Sequence, residues 1–229
     1  TKVSKLANVF KSLGVKKGDV IAIYLPMIEE AIVSILAAAK IGAVQTIVFS
    51  GYSSESLKTR LQDCHAKILL TSDGFHRKGK VISQKTTVDE AVIDTDIEKI
   101  IVVSYKGIDK FEKSDKIQFY DDLILQQDDT CDTEIMNSED PLFILYTSGT
   151  TGKPKGVLHG TGGYLTHLYS TFKWAFDIKD SDVFFCTADI GWVTGHSYVV
   201  YAPLLHGATQ IMYELSLIHI SEPTRRTPI

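Results

Sequence analysis

Cysteine is scarce: Cys64, Cys131 and Cys186 are the only three in 229 residues, far apart and without a C-x-x-C pair. That spacing suggests neither a disulfide framework nor a structural zinc site. No secretory leader opens the sequence, and together with the cysteine usage this sets the expectation of a reducing, cytoplasmic setting. Thr1 stands where a Met would start a protein, inside an amphipathic pattern, so further chain is expected upstream. Long apolar runs are missing too. The most hydrophobic stretch, Ala31 to Val44, is interrupted by Ser34, Lys40 and Gly42 and is too short to cross a bilayer. Nor is there an excess of positive charge: 24 Lys and Arg against 28 Asp and Glu leave a net charge of −4. Membrane and nucleic acid are therefore not expected as partners, although a local basic cluster could hold a phosphorylated ligand.

What is present is an ordinary globular composition, 44% hydrophobic and 23% charged, with a repeating alternation of elements. Val3, Leu6, Phe10 and Leu13 share a helical face, and Gly14 followed by "KKGD" reads as a stop and a turn. "VIAIYLP", "AVQTIVF", "AKILLTS", "KIIVVS", "PLFILYT", "DVFFCTA" and "ATQIMYE" read as strands. Helical patterns lie between most of them, at Met27 to Lys40, Ser54 to Cys64, Thr87 to Ile93, Tyr164 to Phe176 and Ser197 to Leu205. This alternation predicts an α/β fold, a mostly parallel sheet with helices on both faces. The polar stretches Lys106 to Lys116 and "QQDDTCDTE" read as surface insertions, so residues 1–214 are expected to form part of one domain.

One loop concentrates the chemistry. "YTSGTTGKPKG", Tyr146 to Gly156, follows the apolar run Leu142 to Leu145 and holds four hydroxyls of Ser and Thr, three glycines and two lysines. Glycines let backbone N–H groups approach an anion, hydroxyls donate further hydrogen bonds, and a lysine neutralises charge, which together suit phosphate. It is not a P-loop: only two residues separate Gly149 from Gly152, and Pro154 follows Lys153 where that motif needs a hydroxyl. G-x-G-x-x-G fails as well. "GVLH" restarts an extended pattern after Pro154, so the expected order is strand, loop, strand. A bare "SGTTG" is more often a hairpin turn; the eleven-residue string is much more specific. A second cluster, "RKGK" at Arg77 to Lys80, follows the strand "AKILLTS" at its carboxyl end, where open α/β sheets bind ligands. Taken alone it is more often a soluble turn.

"DPLFILYTSGTTGKPKGVLH" closely resembles the phosphate-loop signature of the adenylate-forming superfamily of acyl-CoA synthetases, peptide-synthetase adenylation domains and luciferases. "TGGYL", "FFCTADIGWVTGHSYVVYAPLLHGAT" and "VFSGYSSESLKTRLQDCHAKILLTSDG" resemble its acetyl-CoA synthetase branch, and the similarity runs over nearly all of residues 1–214. The resemblance implies a large N-terminal AMP-binding domain and a two-step reaction, in which ATP converts a carboxylate to an acyl-adenylate with release of pyrophosphate and the CoA thiol then attacks. Acetate is the implied acid, with propionate the alternative; a non-catalytic nucleotide- or CoA-binding module is a separate class of reading.

The same resemblance places Thr147, Ser148, Gly149, Thr150, Thr151, Gly152 and Lys153 on the ATP phosphates, with Mg2+ bridging them. Lys155 is left between that role and a solvated lysine. Arg77, Lys78, Gly79 and Lys80 are placed on the phosphates of the CoA nucleotide. Lys80 stands where some relatives have Arg, which keeps charge but loses a bidentate fork. Trp192, Val193 and Thr194 would line the acyl pocket, Thr194 also touching CoA, against the alternative that Trp192 is simply core. His196 lies near the acyl site or is a packed, hydrogen-bonded histidine; Asp189 is a candidate cap for the following turn, and His159 and His167 receive no role. No protein metal ligands and no catalytic residue are assigned, the family's catalytic lysine, adenine pocket and acyl-length motif being expected beyond this stretch. After Glu214 the similarity ends, and Leu215 to Ile229, "LSLIHISEPTRRTPI", is read as an adapter-derived tail, because its first part matches an in-frame translation of a sequencing-library adapter. A chain cut there is expected to be a fragment with little or no turnover.

Overall fold

A computed structural model describes residues 1–77, 79–108, 111–147 and 153–214. Helix α1 (Lys2–Ser12) leads to β1 (Val20–Tyr24), α2 (Glu29–Lys40), β2 (Val44–Ile47), α3 (Ser54–Cys64) and β3 (Ile68–Ser72). A small hairpin follows, β4 (Gly74–Arg77) and β5 (Lys80–Ser83), then α4 (Lys85–Ala91), β6 (Lys99–Val103), β7 (Ile117–Phe119) and α5 (Tyr120–Leu125). Strands β8 (Pro141–Thr147) and β9 (Lys155–Gly160), helix α6 (Thr161–Trp174) and strand β10 (Val183–Phe185) come next. The last described elements are the turn α7 (Val193–Gly195), a π-helix (His196–Tyr201), α8 (Ala202–Leu205) and β11 (Thr209–Ile211).

Seven strands form one sheet in the order β7-β6-β3-β1-β2-β8-β9. Every neighbouring pair is parallel except β8 and β9, so the expected α/β class and mostly parallel sheet are what the chain adopts. Because side chains alternate along a strand, each strand serves two cores. Ile21 and Ile23, Ile68 and Leu70, Ile101 and Val103 join Phe143 and Leu145 beneath α1, α2 and α6. Ala22 and Tyr24, Leu69, Ile100 and Val102 join Leu57, Leu61, Val88 and Ala91 of α3 and α4 on the opposite face. Burial on both faces explains the uninterrupted apolar runs of the central strands.

Local signals set several boundaries. Ser53 caps α3, its Oγ accepting from Ser56 N at 3.3 Å, and His65 closes the helix in the left-handed region at φ 51°. Gly14, at φ 84°, ends the first helix as expected from its sequence. Other readings need correction. "DVFFCTA" and "ATQIMYE" yield only β10 and β11, which pair with each other and stand outside the main sheet. The helix read at Ser197 to Leu205 begins earlier and is π-wound over its first six residues. The helix read at Thr87 to Ile93 lies two residues nearer the N-terminus. The β4–β5 hairpin, β7 and α5 carry too few apolar residues at either period to stand out, β5 being wholly exposed.

Candidate functional site

Strand β8 carries Tyr146 and Thr147 to the carboxyl edge of the sheet, and β9 returns antiparallel, pairing Lys155 with Thr147 and Gly156 with Tyr146. The two strands expected on either side of the loop are thus present. Thr147, Lys153 and Lys155 are exposed at the two ends of the loop, while Ser148, Gly149, Thr150, Thr151 and Gly152 lie outside the described residues. Gly156 is needed for closeness, since a Cβ there would come within 3.0 Å of Ile144 Cγ2 and 3.3 Å of the Tyr146 ring. Tyr146 is held firmly by α3. Its hydroxyl donates to Asp63 Oδ2 at 2.6 Å, and the Arg60 guanidinium lies 5.5 Å from its ring centroid. Burial first, and then the hydrogen bond to the Asp63 carboxylate, push this phenol far above its ordinary range.

The basic cluster occupies the tip of the β4–β5 hairpin, which projects past the carboxyl end of β3, so it is not a simple turn after that strand. Arg77 and Lys80 are register partners and both are exposed; Gly79, at φ 74°, supplies the left-handed turn residue, and Lys78 lies outside the described residues. Two like charges across a hairpin repel. A bound polyanion would relieve that cost. Arg77 Nη1 donates to Gly51 O at 3.5 Å. The root of the hairpin is fixed by Gln84, fully buried, whose Oε1 accepts from Ser72 N at 3.2 Å and from Ser72 Oγ, while its Nε2 donates to Tyr24 O at 3.4 Å.

The third group is a turn seated on the exits of β1 and β2. Asp189 Oδ1 accepts from Gly191 N at 2.8 Å and its carbonyl from Trp192 N at 3.0 Å, so this residue does cap the turn. Ile190 N points at Met27 Sδ, 3.3 Å away. Trp192 and Val193 are 47% and 49% exposed and Thr194 is exposed, whereas Gly195, His196 and Ser197 are buried. Trp192 is therefore not a core residue among the described residues. The π-helix makes the division: its buried start grips the sheet and leaves the three preceding side chains projecting.

His196 has no exposed surface. Burial, with a smaller contribution from His159, lowers its pKa to about 4, so it is a neutral, packed histidine at pH 7. Its ring lies against Phe143, and its Nε2 is 3.3 Å from Gln45 Nε2. Of the other histidines, His159 stacks on Phe143 with centroids 4.4 Å apart, and His159 and His167 both border an open cleft of about 480 Å3 that reaches Val193.

Segment Phe49 to Tyr52, just past β2, brings the groups together. Gly51 receives Arg77; Phe49 lies against Gly191, where a Cβ would come 3.3 Å from Phe49 Cα; Tyr52 O accepts from Tyr24 at 2.8 Å, and the Tyr52 ring lies 4.6 Å from the Arg60 guanidinium. Basic hairpin, Trp192 turn and loop root thus share one support at the carboxyl edge, near the point where the chain crosses from one side of β1 to the other. Sequence reasoning gave Phe49 to Tyr52 no role. Their signal, a glycine-containing turn between a strand and a capped helix, is common to many folds.

Among the described residues, no group of three or more His, Cys, Asp or Glu is arranged to hold a metal ion. Exposed Thr147, Lys153 and Lys155 suit a phosphate chain better than a bare cation, so Mg2+ fits here only as a companion of the nucleotide, keeping much of its water. No described helix is long and apolar enough to cross a membrane.

A doubly wound sheet with hydroxyl, basic and aromatic groups collected at its carboxyl edge defines a ligand-binding α/β scaffold. Residues 1–219 match the family described as AMP-binding enzyme, and the chain belongs to that family. Among its curated relatives, the acetyl-coenzyme A synthetase of Methanothrix thermoacetophila is 53% identical over 213 residues, 93% of this chain and 32% of that protein. That of Rubrobacter xylanophilus is 51% identical over 213 residues, again 93% of this chain and 33% of the relative. A solved acetoacetyl-CoA synthetase from Streptomyces lividans superposes with a TM-score of 0.86 at 30% identity, covering 94% of this chain and 32% of its own. The chain spans about a third of the length of the relatives it matches.

Proposed function

We propose that this chain supplies the phosphate-gripping and CoA-facing part of an acetate–CoA ligase that forms acetyl-adenylate from acetate and ATP and then acetyl-CoA. The observation that carries the reading is the identity of about half of all residues, over 213 positions, with acetyl-CoA synthetases. Thr147 and the loop to Lys153 would hold the β- and γ-phosphates. As the carboxylate attacks the α-phosphorus, negative charge moves onto the departing pyrophosphate, and donors already aimed there lower the barrier. Mg2+, arriving with ATP, would add charge neutralisation to that grip. Arg77, Lys78, Gly79 and Lys80 would take the phosphates of the CoA nucleotide, so that the thiol enters past Thr194. Trp192, Val193 and Thr194 would form a wall of the acyl site, and the half-exposed indole supports a ligand-facing role over a packing one.

With a third of the length of its relatives, this chain by itself should turn over little or nothing. The test is a chimera in which residues 1–214 replace the matching third of the Methanothrix thermoacetophila enzyme. Formation of acetyl-CoA that depends on acetate, ATP and CoA supports the reading; a folded chimera that binds ATP and CoA yet forms no acetyl-adenylate would favour a non-catalytic binding module. Comparing kcat/KM for acetate and propionate in the active chimera decides the acid.

A further inference from the structure

Arg60 is a charged residue in an unusual place. It is 6% exposed, and among the described residues it forms no ion pair with a carboxylate. Its Nη1 donates to Ser56 O at 2.6 Å and to Ser56 Oγ at 2.7 Å, which fixes the guanidinium against its own helix. The guanidinium carbon then lies over two aromatic rings, Tyr52 at 4.6 Å and Tyr146 at 5.5 Å from the ring centroids. Three residues further along α3, Asp63 accepts from the Tyr146 hydroxyl, so one face of α3 grips this tyrosine at both its ring and its tip. Tyr146 is the last residue but one of β8, and Thr147 opens the candidate phosphate loop.

We propose that Arg60 is a positioning residue that sets the direction in which β8 delivers Thr147 to the phosphates. The proposal rests on the phosphate-site reading given above. The end of β8 is paired on one side only, with β9, since its register with β2 stops at Ile144, and a strand end held on one side frays more readily. Phosphate contacts, however, tolerate errors of only about 0.5 Å. A cation fixed by two hydrogen bonds and lying over two rings attracts both of them, which an aliphatic side chain of similar volume would not do. Because Tyr52 also receives the Tyr24 hydroxyl on its carbonyl, the clamp is referred back to β1 in the middle of the sheet.

The test uses the full chain and the variants Arg60→Met, Arg60→Lys and Tyr146→Phe. In the absence of ligand, residue-resolved amide exchange is followed at Tyr146, Thr147, Lys155 and Gly156, with Ile21 to Ile23 of β1 as the internal reference. Arg60→Met is expected to speed exchange at the loop root about tenfold relative to β1. Arg60→Lys, which keeps charge but loses the plane, and Tyr146→Phe, which keeps the ring but loses Asp63, should fall between. Calorimetric titration with inorganic tripolyphosphate should show affinity falling about tenfold in Arg60→Met. Unchanged root exchange in Arg60→Met, or a rise equal at β1 in all three variants, overturns the proposal, as does tripolyphosphate binding at wild-type affinity in Arg60→Met. If wild type binds no tripolyphosphate while root exchange still rises selectively, the clamp stands and the phosphate-site reading is what falls.

Discussion

Gln45 of β2 and His196 of the π-helix meet at 3.3 Å between their Nε2 atoms, and both are completely buried. Two nitrogens face each other here while Gln45 Oε1 has no partner. The amide N–H of Gln45 donates to the Nε2 lone pair of the neutral imidazole, whose proton then sits on Nδ1, an atom that like Gln45 Oε1 has no partner among the described residues. This bond ties the turn bearing Trp192 to the middle of the sheet.

Its strength should depend on pH in one direction. His196 has a folded pKa of about 4 against 6.5 for the free side chain. Above pH 6.5 both folded and unfolded forms are neutral and stability is complete. As the pH falls from 6.5 towards 4 the unfolded chain takes up a proton that the folded chain refuses, and stability is lost, on the order of 3 kcal/mol in all. Urea unfolding at pH 7.5 and at pH 4.5, compared between wild type and His196→Gln, isolates this contribution because the carboxylates common to both cancel. Equal pH dependence in the two proteins would refute it.

Gln84 is expected to matter for both stability and binding. Gln84→Ala removes the partner of Ser72 N and Ser72 Oγ and leaves Tyr24 O short of a donor, all in buried surroundings. Each orphaned group costs about 1–3 kcal/mol, so a total of about 3 kcal/mol is expected in chemical denaturation. With the hairpin root loosened, Arg77 and Lys80 lose their fixed separation. CoA affinity measured in the chimera should fall, whereas ATP affinity should change much less.

The parallel sheet was legible because its strands are buried on both faces and therefore read as unbroken Val, Ile and Leu runs; "PLFILYT" and "GVLH" were legible as two extended segments, though not as an antiparallel pair. Helix α3 was legible to the residue from its helical pattern at Ser54 to Cys64, and the structure adds the Ser53 cap. What could not be read was pairing at a distance. Nothing local in "DVFFCTA" says that it leaves the main sheet, and nothing in "HSYVVY" distinguishes π from α winding. The clamp of Tyr52, Arg60 and Tyr146 joins residues up to 94 positions apart, as the numbering itself shows. Arg77 and Lys80 could be picked out as charges; their place opposite each other on a hairpin could not.

Trp192 should separate stability from activity. With 47% of its surface exposed, Trp192→Ala is expected to cost about 1 kcal/mol, well short of the 3–5 kcal/mol of a buried aromatic. In the chimera the same change should lower kcat/KM for acetate more than tenfold, about 1.4 kcal/mol or more of transition-state stabilisation. Thermal unfolding and initial rates on one preparation decide the matter. A large stability loss with unaltered kinetics would return Trp192 to a packing role.

Gly195 shows why "GWVTGH" carries its second glycine. The residue has φ −66°, an ordinary helical value, so backbone strain is not the reason. Space is: a Cβ built on Gly195 would lie 2.7 Å from Ile190 Cα and closer still to the Asp189 carbonyl, and both are backbone atoms that cannot rotate away. The start of the helical segment and the Asp189 turn must therefore separate if any side chain is added. Separation would break the Trp192 N–H bond to Asp189 O and pull His196 off Gln45. Gly195→Ala should accordingly cost about 3–5 kcal/mol, the range of the more damaging core substitutions. Gly163→Ala, in α6 with nothing within 4 Å of the added Cβ, is the matched control and should be neutral or stabilising by up to about 1 kcal/mol. Denaturation midpoints of the two variants, measured side by side, give the comparison: if Gly195→Ala unfolds like Gly163→Ala, close backbone contact is not what the site requires of that glycine.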